Sequence, residues 1–153
     1  MKTLQRFQQI GYKGRSLAVV VESGETEQLT LETTQLVVRC PTDTEEKRLT
    51  LLIEKWLQEE LRKEIESLVK EWETTLDVEV SAIFYRRMSE KWGRCDHKRR
   101  ILWFHPELIR QSQKTMERVV AEQMIHLLEP TKNQCFVKLM DFHHPDWNDS
   151  PEP

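Results

Sequence analysis

Glycine is scarce: four residues in 153, none of them gathered into a Gly-rich loop between a strand and a helix. That argues against the phosphate-cradling nucleotide folds, which need several glycines for close backbone approach. Cysteine is equally thin, with Cys40, Cys95 and Cys135 an odd number that contains no Cys-x-x-Cys pair. They read as reduced thiols of a cytoplasmic protein. No apolar run approaches the length that spans a bilayer, and the stretch from Met1 to Ser16 lacks the apolar core of a secretory signal. Neither sign of charge dominates. A formal charge of −3 gives no global attraction to nucleic acid or anionic membrane, so such binding would have to come from a local patch. Internal repeats and low-complexity segments are absent as well.

What is present suits one domain, expected over residues 1–147, followed by a frayed tail at 148–153. The apolar run Leu17 to Val21, the alternating Gln28 to Glu32 and the β-branched Gln35 to Cys40 read as strands, with a turn signal at Ser23-Gly24-Glu25. An antiparallel meander is expected from them. Thr42 and Glu45 stand at capping-box spacing. Beyond them Leu49, Ile53, Leu57, Leu61, Ile65 and Leu68 keep a helical period that predicts one long helix to about residue 75. Its Glu- and Lys-rich opposite face reads as a solvated surface. Val78 to Tyr85 has strand composition, Lys91 to Cys95 and Arg100 to Phe104 predict a β-hairpin over a polar turn, and Pro106 opens a short helical turn. Two C-terminal helices follow, Gln113 to Glu129 and Asn133 to Phe142, the second packing Phe136, Leu139 and Met140. Alternating strands and helices, with the helices mostly together, indicate an α+β fold.

The first of these C-terminal helices carries the most informative residues. Glu122 and His126 are four apart, so on a helix they stack on one face, amid apolar Val119, Val120, Met124 and Leu127. An acid and an imidazole so placed can share a cation.

With Trp92-Gly93-Arg94-Cys95, the run Arg100 to Ile109, Val119 to Asn133, and the closing Pro145-Asp146-Trp147, this helix resembles the C-terminal half of the YgjP-like zincin metallopeptidases. Their pattern runs Trp-Gly-Ser-Cys, then Arg-Ile-x-x-Asn-x-x-Leu, then Val-Val-x-His-Glu-x-x-His-Leu-Leu-x-Pro-x-His. The resemblance implies a zincin-like arrangement of the C-terminal helices and a zinc-dependent hydrolase ancestry. It also implies a degenerate site. Glu122 stands where the first zinc-binding histidine belongs, Gln123 where the catalytic glutamate belongs and Lys132 where the third histidine belongs, leaving His126 alone in place. Arg94 and His105 replace the serine and asparagine of the pattern and are expected, with Trp92 and Cys95, to line the cleft.

A catalytic zinc needs three protein ligands and an open position. A lysine nitrogen ligates only after losing its proton, which from a reference pKa near 10.4 costs roughly 4 to 5 kcal/mol at neutral pH. A charged Lys132 paired with Glu122, a fixed cation in place of the metal, is therefore the expected arrangement. Gln123 cannot accept a proton and forfeits general-base help worth typically 10²- to 10⁴-fold. His143 and His144 are adjacent and precede Pro145, so they are not expected to complete a metal site. The spacing further predicts that Glu122→His, Gln123→Glu and Lys132→His together would restore one. Cys95 could be a nucleophile paired with His97 or His105, but a small packed thiol is the favoured reading. Arg86, Arg87, Lys91, Arg94 and Lys98 to Arg100 form a basic cluster with Trp92 and Trp103. Alternation along a hairpin should split that cluster between two faces, so nucleic acid is not an expected partner, nor is a membrane.

Two functional readings follow. One is a non-catalytic binding or regulatory module that keeps the cleft and holds no cofactor. The other is an active zinc hydrolase with an atypical site using Glu122, His126 and a later histidine.

Overall fold

The computed structural model describes residues 9–149. The expectations for the first eight residues and for 150–153, which include most of the expected frayed tail, lie outside it. Asn148 and Asp149 belong to a single 3-10 turn, Trp147–Asp149.

The fold is α+β. Four N-terminal strands, β1 (Gln9–Tyr12), β2 (Arg15–Ser23), β3 (Gln28–Leu31) and β4 (Gln35–Cys40), form a sheet of order β1-β2-β4-β3. The expected antiparallel meander is corrected here: β2 and β4 run parallel, with Val19 opposite Leu36 and Val21 opposite Val38, while β3 hairpins onto the far side of β4. Burial explains the order. Leu36, Val37 and Val38 are all buried, as suits an inner strand covered on both faces, whereas β3 exposes nearly every residue and takes the edge. Strand β1 has only Ile10 and Tyr12 as apolar signal, too little for a period to show, and pairs antiparallel with β2.

Helix α1 (Glu46–Leu76) buries Leu49, Ile53, Leu57, Leu61, Ile65 and Val69, a stripe kept at four-residue steps for five turns. These side chains, with Leu17, Val19 and Val21 of the sheet, make the main core. The capping box does not form. Glu45 is the N-cap without a side-chain hydrogen bond, and the Thr44 hydroxyl closes the preceding turn on the Pro41 carbonyl at 2.6 Å.

A second sheet has the order β5-β7-β6, built from β5 (Ala82–Tyr85), β6 (Gly93–Asp96) and β7 (Ile101–Phe104). The hairpin β6–β7 is antiparallel, with Arg94 opposite Trp103 and Cys95 opposite Leu102, and β5 joins β7 in parallel. A 3-10 turn, Pro106–Arg110, leads to α2 (Gln113–His126), whose N-cap Ser112 hydroxyl accepts the Thr115 N–H at 3.1 Å. Helix α3 (Gln134–His143) starts at Asn133, whose side-chain oxygen accepts the Phe136 N–H at 2.9 Å. It packs Phe136 and Met140 against Ala121 and Ile125 of α2. Ten of the fourteen residues of α2 are buried, and among its polar members Thr115, Arg118, Glu122 and Gln123 are held inside the protein. Among the described residues no helix is long and apolar enough to cross a membrane.

Candidate functional site

Edge strand β6 lies against α2, and between them opens a pocket of about 430 Å³. Glu122, Gln123 and His126 from α2 line it together with Trp92, Arg94 and Cys95 from β6 and its approach. Lys132 reaches the rim from the loop before α3. His105 is not among the lining residues. It sits just past β7, where its Nδ1 accepts the Glu107 N–H at 3.1 Å and its ring meets Trp92 edge-on at 5.3 Å. Partial burial, with Arg87 nearby, holds this imidazole below its usual range.

Gly93 explains the tightness of the β6–α2 contact. A Cβ at that position would stand 2.9 Å from both Cγ and Nε2 of Gln123, closer than carbon contacts allow, so only glycine lets the strand lie on the glutamine side chain. Gln123 is itself 6 % exposed. Its amide thus packs beneath the strand at the position where the resemblance places a catalytic base.

Glu122 does not pair with Lys132. Its carboxylate accepts from the Arg118 guanidinium at 2.6 Å, and both side chains are almost fully buried, at 2 % and 7 % exposure. Arg118 is one turn upstream on the same helix face, so the pair forms without any loop having to fold back. Lys132 is exposed and, among the described residues, has no ion pair within 4 Å. The fixed cation expected beside Glu122 is present, but Arg118 supplies it. Its i,i+4 spacing to Glu122 was the sequence signal for this, and the apolar context of the helix masked it.

His126 stacks on Phe136, with ring centroids 4.5 Å apart, and its Nδ1–H donates to the Glu129 carbonyl at 2.9 Å. In the neutral imidazole that hydrogen bond places the proton on Nδ1 and leaves the Nε2 lone pair for a metal. It is one competent ligand. His143 and His144 line a different pocket, between α3 and α1, where His143 meets the Trp72 ring edge-on at 5.3 Å. Among the described residues no group of three His, Cys, Asp or Glu side chains is placed to hold a metal.

The donor set therefore does not fit a catalytic zinc. The Glu122 carboxylate is already bound by a buried guanidinium, and a dication sharing that carboxylate would be repelled by about several kcal/mol across a few ångströms. Cys95 offers no nucleophile in exchange. Burial, reinforced by Asp96, pushes its thiol up to about 11, so it stays protonated at neutral pH. No hydrogen bond among the described residues joins it to His97 or His105.

Comparison with known proteins completes the picture. No well-characterised protein matches the sequence. Among solved structures, the crystal structure of the metallopeptidase zymogen of Pyrococcus abyssi abylysin is similar at a TM-score of 0.48 and 15 % identity, over 53 % of this chain and 80 % of that one. The family model described as YgjP-like, metallopeptidase domain, matches residues 2–152. On that match, which takes in both sheets and all three helices, the chain belongs to the YgjP-like metallopeptidase domain family.

Proposed function

We propose that this chain keeps the cleft of a metallopeptidase domain without its hydrolytic chemistry and acts as a binding or regulatory module. The observation that carries this reading is the buried Arg118–Glu122 pair at 2.6 Å, which spends the carboxylate in the first ligand position on a guanidinium. Gln123 supports it, since an amide packed under Gly93 can neither accept a proton nor move freely to a substrate. A pocket beside the free edge of β6 is what a module for extended peptide segments requires, because an unpaired strand offers backbone donors and acceptors in a row.

The second reading, an active hydrolase with an atypical metal site, draws on the Nε2 lone pair of His126. It needs two further ligands. Glu122 is engaged by Arg118, and His143 and His144 line another pocket.

Metal analysis of protein purified without chelator or metal-affinity tag tests the proposal. Zinc well below one equivalent per chain is expected, unchanged by His126→Ala. Stoichiometric zinc that disappears in His126→Ala would overturn it in favour of the second reading.

A further inference from the structure

The outer face of the second sheet carries a row of side chains that begins at the cleft with Arg94 and runs away from it. Arg94, Trp103 and Phe84 are direct neighbours across β6, β7 and β5, and in a strand ladder opposed residues share a face. The Arg94 guanidinium lies 4.8 Å from the Trp103 ring centroid, and the Trp103 and Phe84 rings are 6.2 Å apart at 31°. Phe84 is 50 % exposed, so its ring stands open to solvent beside Trp103. The inner face of the same strands is the buried one, carried by Leu102 and Phe104.

Charge gathers around this row. Between Ala82 and Phe104 there are seven basic residues and two acidic ones, in a chain whose formal charge is −3. Arg87 is paired with Glu107 and Arg99 approaches Asp96. Among the described residues Arg86, Lys91, Arg94, Lys98 and Arg100 have no acidic partner within 4 Å, and all five are exposed. Alternation along the hairpin is expected to split this cluster between two faces. Arg94 instead belongs to both surfaces, lying on Trp103 and also lining the pocket with Lys91 and Lys132.

We propose that this sheet face binds single-stranded nucleic acid, with bases stacking on Phe84 and on the Arg94–Trp103 pair and phosphates held by Arg94, Lys91 and Lys132. Three adjacent strands span about 10 Å at the usual spacing of about 4.8 Å, room for one or two bases. Planar rings with unpaired cations beside them match a base and its phosphate together. A second copy of the chain is a poor occupant of the same face, because two such clusters would bring like charges into contact. The duplex is a poor one too, since its bases are already stacked and cannot reach an upright ring on a sheet.

The proposal does not depend on whether the metal site is lost, and its test is separate. Fluorescence anisotropy would follow oligouridylate and oligothymidylate of about 12 nucleotides, with a duplex and heparin as controls, in about 50 mM salt. Single strands should bind in preference to duplex, and the RNA and DNA arms tell which sugar is favoured. Phe84→Ala should weaken binding roughly 5- to 150-fold at unchanged Tm, the range for loss of one stacked base. Arg94→Ala should lower the slope of log affinity against log salt by about 0.7, the value for one phosphate contact on a single strand. Absence of single-strand binding would overturn the proposal. So would binding that Phe84→Ala leaves intact, which would mark the basic cluster as a non-specific polyanion site, or a dimer that Phe84→Ala dissociates while no oligonucleotide binds.

Discussion

Cys95 shows how far residue identity alone can mislead. A cysteine in a Trp-Gly-x-Cys run, two residues from His97, has the makings of a nucleophile, and its chemistry is decided instead by where its sulfur lies. On β6 the thiol is half-buried with Asp96 beside it, and both influences favour the proton. The three thiols should therefore separate by reactivity. With a disulfide reagent at about pH 8, Cys135, which is exposed, should react first, Cys95 slowly, and buried Cys40 only on unfolding. The Cys95 rate should climb as pH rises towards its value of about 11. Fast labelling of Cys95 at neutral pH, followed by peptide mass spectrometry, would contradict this and reopen a catalytic role.

At the scale of elements, the contact between β6 and α2 is set by what Gly93 lacks. Gly93→Ala would drive a methyl group into Gln123, and because Cγ as well as the amide end is within 2.9 Å, rotation of the terminal amide alone cannot relieve it. A loss of about 1 to 3 kcal/mol is expected, the usual cost of overpacking. Adding Gln123→Ala should recover part of it, with a coupling of about 0.5 kcal/mol or more between the two positions in urea titrations. Additive effects would show that the strand and the glutamine do not constrain each other. The glycine and the helix were both legible in the sequence, one through its place after Trp92, the other through its apolar period. Their contact was not, because nothing local to β6 says which helix it will meet. The same limit applies to the first sheet. The apolar run Leu17 to Val21 and the β-branched Gln35 to Cys40 mark strands, yet they are silent on partners, and the parallel β2 and β4 share the core beneath α1. The long helix, by contrast, was readable almost to its ends, since six buried positions at four-residue steps admit no other period.

For the molecule as a whole, the proposed reading turns on whether three positions or four separate this cleft from a zinc-binding one. The spacing of the central helix suggests three, since Glu122→His, Gln123→Glu and Lys132→His restore every residue of the resembled motif. The structure adds Arg118. It is 2 % exposed and directs its guanidinium at position 122, so in the triple variant a buried cation would remain beside the new imidazole. That charge would oppose a dication at the same position. The triple variant should accordingly hold little zinc after dialysis. A fourth change, Arg118→Leu, removes that charge and supplies an apolar side chain to a helix whose other faces are already packed, so the quadruple variant should hold about one zinc per chain with a higher Tm in zinc than in chelator. Equal and stoichiometric zinc in the triple and quadruple variants would show that Arg118 is no obstacle, and that the scaffold tolerates a metal wherever its three histidines are returned.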